Sequence, residues 1–200
     1  MVSLVMKLEI NKIKINLIDL DNTLLPYDSF RKYVYLLPGN IFVSIMTLLW
    51  GFLRRLRIID SFLFKKYVII NHRKAKNYRK LMRHYSISLI KDMRSSILKH
   101  IQNYSNGDHT INVLCSASPE DYIRLIAEEL NWEFLATSLD SKTKEYIHMF
   151  GENKIIHLMR KYPPEKFIYQ YAISDSLSDA QLLTFFIESD GEEFISKVNK

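Results

Sequence analysis

Residues 15–23 read Ile-Asn-Leu-Ile-Asp-Leu-Asp-Asn-Thr, an apolar run that stops abruptly at two carboxylates, Asp19 and Asp21. Side chains on an extended strand repeat every two residues, so the pattern predicts a strand over 13–18 that presents both acids on one face, followed by a turn through Asp21, Asn22 and Thr23. Two like charges held that close repel unless a cation sits between them, and oxygen donors favour a hard divalent ion such as Mg2+. An apolar strand that delivers acids at its C-terminal end is also how open parallel α/β sheets build sites in the crevice beyond their strands.

A chain of 200 residues buries a good core as one domain, or as one domain with a sizeable insertion. With 48% apolar residues and only five Gly and five Pro, it is not disordered. The single cysteine, Cys115, excludes an internal disulfide and a cysteine-only metal cluster, and its place in the apolar run 111–115 makes it a core thiol. Residues 1–14 interleave Lys7, Glu9, Lys12 and Lys14 with apolar positions and offer no unbroken hydrophobic stretch, so no secretory signal is expected. The expected location is the cytoplasm, with at most peripheral contact at the inner membrane face.

From Leu24 to about Asn106 the strand pattern disappears and helix formers dominate, which predicts an α-helical insertion. Residues 33–53 carry no charge and lie between Arg31-Lys32 and Arg54-Arg55, a run long enough on paper to span a bilayer. Pro38-Gly39-Asn40 interrupts it, and the remainder, 41–53, is too short to cross as a helix. It suits a buried helix or an interfacial segment. A second apolar run covers 58–71, and a basic helical stretch follows over 73–94, with Leu81, Met82, Tyr85, Leu89 and Met93 near helical spacing. Between Arg54 and Lys99 there are fourteen Lys or Arg against only Asp60 and Asp92, so half of the chain's 28 basic residues lie there. That segment either meets an anionic partner or is the solvated face of helices. Ser105-Asn106-Gly107-Asp108 is the expected turn back to the sheet.

The second strand, 111–115, ends at Ser116-Ala117-Ser118-Pro119, where Ser118 is the expected N-cap of a helix with Glu120 and Asp121 in its first turn and Ile123, Ile126, Ala127 and Leu130 facing inward. A third strand is expected over 133–137, then a polar hairpin over 140–149, then a helix opened by Gly151 with Ile155, Ile156, Leu158 and Met159 as its apolar face. A fourth strand over 167–173 runs into Ser174-Asp175-Ser176-Leu177-Ser178-Asp179, and a short helix and a last strand over 185–188 complete the set. Strands alternating with helices predict an α/β fold, a Rossmann-like doubly wound parallel sheet carrying an inserted α-helical unit.

Four motifs now stand in order, three at strand ends and the one with Lys154 at the start of a helix: Asp19-Leu20-Asp21-Asn22-Thr23, Val113-Leu114-Cys115-Ser116, Gly151-Glu152-Asn153-Lys154 and Ser174-Asp175-Ser176-Leu177-Ser178-Asp179. In that order and at those separations they resemble the motifs of the haloacid dehalogenase-like phosphatases, over about residues 13–188. Asn22 and Ser174 stand where glycine is common in that superfamily, and both are small or tolerant of turns. The insertion between the first and second motifs is similar to the cap of subfamily IB, the branch of phosphoserine phosphatase. The resemblance implies a catalytic core of 1–24 and 107–200 and a cap of 25–106.

It further implies a Mg2+-dependent phosphomonoesterase, since the second Asp, Asp21, is what dehalogenases and ion-pumping ATPases of the superfamily lack. Asp19 would be the nucleophile that forms an aspartyl phosphate, and Asp21 the acid and base. Ser116 and Lys154 would hold the phosphoryl oxygens. Asp19, the main-chain carbonyl of Asp21, and Asp175 would hold the metal, with Thr23 and Asp179 in support. Tyr27, Asp28, Ser29 and Arg31 are the cap residues expected near the site.

The run Asp-Ser-Leu-Ser-Asp-Ala-Gln-Leu-Leu after Tyr169-Gln170-Tyr171 looks more like the phosphatidylglycerophosphate phosphatases of the same branch than like the phosphoserine enzymes. A lipid phosphate taken from an anionic membrane and a soluble phosphometabolite both remain as substrate classes. The alternative reading is a non-catalytic binding module of the same fold whose basic cap grips RNA or an acidic partner. Tyr67, Tyr78 and Tyr85 stand among its basic residues, but no nucleic-acid motif is present, so nucleic acid is not the expected partner.

Overall fold

The computed structural model of the chain describes residues 12–36, 41–105, 109–140, 142–143 and 145–198. At its centre lies β1 (Ile13–Ile18), whose Ile15, Leu17 and Ile18 have no exposed surface. Burial of each such side chain contributes roughly 1.5–3 kcal/mol, which is why this apolar run takes the middle of the sheet. It pairs in parallel with β2 (Thr110–Pro119) on one side and β5 (Phe167–Ile173) on the other. Next to β2 lies β3 (Glu133–Leu139), also parallel, and then β4 (Tyr146–Ile147), antiparallel to β3. Beyond β5 lies β6 (Glu188–Asp190), giving the order β4-β3-β2-β1-β5-β6. The strand order therefore reverses at β1, and the crevice of such a sheet opens beyond its carboxyl end.

Alternation along the strands feeds two cores. Ile15, Leu17, Val113 and Cys115 face Leu158 and Tyr162, from α7 (Glu152–Lys161) and the residue that ends it. Ile18, Leu114, Tyr171 and Ile173 face Ile123, Ile126 and Ala127 of α6 (Glu120–Leu130) together with residues of the insertion. Both faces are covered, as a parallel sheet requires. Burial pushes the Cys115 thiol up to about 12, so it is an inert core group.

Between β1 and β2 stand α1 (Ser29–Val34), α2 (Ile41–Arg55), α3 (Ser61–His72), α4 (Tyr78–Lys91) and α5 (Ser95–Ser105). Asp28 and Asp60 cap α1 and α3 by accepting from the amides of Arg31 and Leu63. Tyr78, Met82, Tyr85 and Leu89 recur every three or four residues along α4, and that face packs on α6. Arg73 fastens the same junction, donating to both oxygens of Asp121 at 3.1 Å and to the Leu139 carbonyl at 2.6 Å. By contrast α2 packs mainly on α3, through Asn71 Nδ2 bonded to the Val43 carbonyl and Thr47 Oγ1, and through Trp50 stacked on Tyr67 at 4.2 Å. Its outer face is open, with Ile41 80% and Leu48 65% exposed.

Several details differ from the sequence expectation. β2 continues to Pro119, and Pro119 rather than Ser118 occupies the N-cap of α6, with no side-chain bond, because the Ser118 hydroxyl is engaged elsewhere. The inward face of α7 is Lys154 and Leu158 with Ile155 partly buried beside them, while Ile156 is 51% exposed, because the helix points its first turn into the crevice. The basic stretch 73–94 becomes helical only from Tyr78. The last strand is Glu188–Asp190 rather than 185–188: Phe186 turns into the core against Tyr169 after α8 (Ala180–Leu183), which delays pairing. A further helix, α9 (Glu192–Val198), follows and buries Ile195. Residues 1–11, the expected break at 38–40 and residues 106–108 of the expected turn lie outside the described residues.

Candidate active site

The Asp19 amide donates to the Ile173 carbonyl at 3.0 Å, locking the end of β1 against the end of β5. The chain then turns at once through Leu20–Leu24, with Asn22 at φ +57°, a left-handed conformation that Asn tolerates better than most residues. Asp19 and Asp21 are therefore not alternate positions of one strand, as the spacing predicted; the turn carries Asp21 away to partners of its own. Arg94 braces this turn, its Nη1 donating to the carbonyls of Asn22 at 2.5 Å and Thr23 at 2.8 Å.

Asp19 Oδ1 meets Lys154 Nζ at 3.0 Å, and the same ammonium meets Asp179 Oδ2 at 2.5 Å. The Ser174 hydroxyl also donates to Asp179 Oδ2, at 2.7 Å. Thr23 Oγ1 lies 3.3 Å from Asp19 Oδ2 and 3.2 Å from Asp175 Oδ1, and accepts the Asp175 amide at 3.0 Å. Asp21 instead accepts from the Ser29 amide at 2.6 Å and from the Ser118 hydroxyl at 2.7 Å, with Ser116 Oγ 3.5 Å away. Asp19, Asp21, Thr23, Ser116, Lys154, Asp175 and Asp179 thus gather at one end of the sheet, from the ends of β1, β2 and β5 and the first turn of α7.

Burial dominates the electrostatics. It raises Asp19 to about 7 against the pull of Lys154, with Asp179 and Asp21 adding to the rise. Burial likewise raises Asp21, although the bonds from Ser29 and Ser118 oppose it. Asp175 is raised too, chiefly by desolvation. Burial alone would lower Lys154, but the carboxylates around it, Asp19 foremost, hold it above its ordinary value.

Four carboxylates gather here, two of them on Lys154 and with Lys65 nearby, and the single proton of the Thr23 hydroxyl serves Asp19 or Asp175, never both at once. That surplus of hard oxygen and negative charge suits a divalent cation shared by Asp19 and Asp175. Among the described residues no group of three or more His, Cys, Asp or Glu is placed to hold a metal by side chains alone, so a main-chain oxygen and water would complete the shell.

Two participants, Ser118 and Lys65, escaped the sequence reading. Ser118 was readable in principle, since it lies two residues beyond Ser116 in an extended segment. Lys65 of α3 gave no signal: its Nζ reaches over the site to the Ala117 carbonyl at 3.0 Å, and burial lowers its pKa despite the nearby Asp21 and Asp28. Ser29, expected nearby without a role, holds Asp21 through its amide. Of the other insertion residues expected nearby, Asp28 and Arg31 line a cleft beside the site. Tyr27 turns away to Asp92, under the ammonium of Lys32.

No protein-family model matches the chain, and no curated protein matches it by sequence. Solved structures do match its fold. A protein of unknown function from Bordetella pertussis Tohama I is similar with a TM-score of 0.71, at 16% identity over 89% of each chain. A phosphoserine phosphohydrolase-like protein from Francisella tularensis subsp. tularensis SCHU S4 is similar with a TM-score of 0.52, at 18% identity over 85% of this chain and 82% of the other. Cytosolic 5'-nucleotidase IIIB bound to cytidine is similar with a TM-score of 0.56, at 11% identity over 94% and 76%. A haloacid dehalogenase family hydrolase from Salmonella enterica serovar Typhi also matches, with a TM-score of 0.50, at 9% identity over 86% and 60%. The chain shares its mixed α/β fold, a mostly parallel six-stranded sheet flanked by helices, with these structures, the haloacid dehalogenase family hydrolase among them.

Proposed function

We propose that the chain is a Mg2+-dependent phosphomonoesterase that works through an aspartyl-phosphate intermediate on a small or amphiphilic phosphate monoester, with residues 25–106 as the cap over a core of 1–24 and 107–200. The observation that carries this reading is the division of labour between two neighbouring buried carboxylates: Asp19 on a cation, Lys154, and Asp21 on neutral donors. Two acids whose surroundings differ in this way are suited to different protonation states, as a nucleophile and a general acid must be.

Asp19 attacks phosphorus in its anionic form, which Lys154 favours against the effect of burial, and the bond to the leaving oxygen breaks. Asp21, which burial favours in its protonated form, gives its proton to that oxygen. The resulting Asp21 carboxylate takes a proton from water, whose oxygen attacks the aspartyl phosphate, releasing inorganic phosphate and restoring Asp19. Ser116 and Lys154 hold the phosphoryl oxygens, while Asp179 keeps Lys154 pointed at the site and Thr23 steadies Asp19 and Asp175. Mg2+, held by Asp19, the main-chain carbonyl of Asp21, and Asp175, would shield the nucleophile's charge from the phosphate and stabilise charge in the transition state.

The open face of α2 and the cluster Arg54, Arg55 and Arg57 support peripheral contact with an anionic membrane. Among the described residues no helix is long and apolar enough to cross one.

The test is Mg2+-dependent phosphate release from p-nitrophenyl phosphate, phosphoserine, sugar phosphates, nucleotides and a micellar lipid phosphate, with Asp19→Asn as the blank. Release by the wild type alone is the expected result. Equal inertness of both proteins across the panel, joined by a salt-sensitive gel shift with RNA, would put the binding-module reading in its place.

A further inference from the structure

Two adjoining clefts open between α1, α2 and α3. The inner one, about 290 Å3, has Asp28, Arg31 and Lys65 among its lining, and two of these residues connect it to the catalytic floor. Lys65 reaches the carbonyl of Ala117, between Ser116 and Ser118, and Asp28 immediately precedes Ser29, whose amide holds Asp21. The outer one, about 390 Å3, is walled by Leu48, Gly51 and Phe52 of α2. Both clefts share Val34, Tyr35, Arg54 and Phe64, and a bond from Arg54 to the Ser61 hydroxyl at 2.6 Å holds its side chain in that common wall. Their sizes fall at the lower end of the roughly 300–1,000 Å3 that small-molecule sites span.

Charged side chains are denser at one end of the groove than at the other. At the catalytic end it is charged, and Arg31, Arg54 and Lys65 outnumber its one acid, Asp28. At the far end Val34, Leu48, Phe52 and Phe64 supply most of the wall beside Ser44, Thr47, Arg54 and Arg55, and a Cβ built on Gly51 would meet no atom within 4 Å, so the space beside that turn of α2 is open. A small polar ester would leave these apolar walls in water. A chain-bearing anion would cover them and place its charge among the cations, and each buried methylene would tighten binding by up to about four-fold.

We propose that this groove is the binding site for the hydrocarbon chain of an amphiphilic phosphate monoester, whose phosphate sits at Asp19 and whose chain runs past Arg54 and over Gly51. The proposal rests on the phosphatase reading above and names the substrate class of that same site. Lys65 and Arg31 meet the polar part of the ester, and Leu48, Phe52 and Phe64 meet its chain.

The test is calorimetric binding of butyl, octyl and dodecyl phosphate below their micellar concentrations, to wild type and Gly51→Phe, beside Mg2+-dependent phosphate release from the same three esters. The expected result is that wild-type affinity rises well over about ten-fold from butyl to dodecyl, that kcat/KM follows, and that Gly51→Phe flattens both series. Leu48→Asn serves as a second variant, expected to flatten them partly, should a melting curve show Gly51→Phe unfolded. Affinity that does not change with chain length in the wild type, or a chain dependence that survives in a folded Gly51→Phe, would overturn the proposal. Chain-dependent binding without phosphate release from any ester would sink the phosphatase reading while leaving the groove. Release that ignores chain length would do the reverse.

Discussion

The crevice edge of the sheet and the α2–α3 pair of the insertion depart from ordinary folding preference in opposite directions. At the edge, charged groups are taken out of water: Asp19, Lys154 and Asp179 are buried, and two carboxylates compete for one ammonium. On α2, apolar groups are left in it: Ile41, Ile45, Leu48 and Phe52 line an open face. Each arrangement costs stability, and each is held by a well-packed neighbour, β1 and β5 in one case and α3 in the other. The difference shows where binding energy is available. Buried charge is poised for a phosphoryl group and a cation, whereas exposed hydrocarbon is poised for another apolar surface.

The largest effect should come from breaking the edge. Lys154→Met leaves Asp19 and Asp179 without their counter-charge, and urea denaturation should read a loss of about 3–5 kcal/mol, with phosphate release abolished. A loss under about 1 kcal/mol would mean that the ion pair does not carry the edge.

Acid should push the two regions apart. His72 on α3 is buried, which lowers it to about 4, so its contribution is whole above its unfolded value and is lost as pH falls through about 4. Over that range it removes on the order of 3 kcal/mol from the insertion. Asp19, raised to about 7 by burial, has the opposite sign: protonation is favoured in the fold, so its contribution is whole at low pH and fades as pH rises through 7. In metal-free buffer, amide exchange corrected for its intrinsic pH dependence should show α3 losing protection relative to β1 between pH 6.5 and 4. Mg2+, which needs Asp19 ionised, should raise the melting temperature more at pH 8 than at pH 5. Parallel loss of protection in both regions would break the comparison.

A smaller gain is expected at Gly51. It is a helical glycine with open space at its Cβ position, so Gly51→Ala should stabilise by about 0.5–1 kcal/mol through helix propensity, read as a higher urea midpoint. The smallest change in stability is expected on the outer face. Ile45→Ser, at a position 53% exposed, should shift stability by no more than about 0.5 kcal/mol. It should nonetheless weaken co-flotation with phosphatidylglycerol-containing vesicles, and unchanged flotation would remove the membrane role of that face.

Much of the sheet could be read from the chain alone. β1 and β5 begin and end where the apolar runs do, because strands covered on both faces are nearly continuous in hydrophobic residues. The edges of the sheet were less legible. β2 runs on through Ser118 because that hydroxyl meets a carboxylate 97 positions away, and β6 starts late because Phe186 is drawn into a core assembled from distant segments. The candidate acids and serine were visible as residue types at strand ends and the lysine at a helix start, but their grouping was not. Asp19 and Asp21 were expected side by side on one strand, and the turn at Asn22 separates them.

The chain by itself determined its alternation of strands and helices, its central strand and the chemistry available at the strand ends, because periodicity and residue type act over a few residues. Only the tertiary structure decided that Lys154 lies between Asp19 and Asp179, that Ser29 and Ser118 hold Asp21, that Lys65 reaches the floor of the site, and that one face of α2 stays open. Those contacts join residues far apart in the chain, and the geometry and burial that give them their strength exist only once the sheet has closed and the insertion has docked on it.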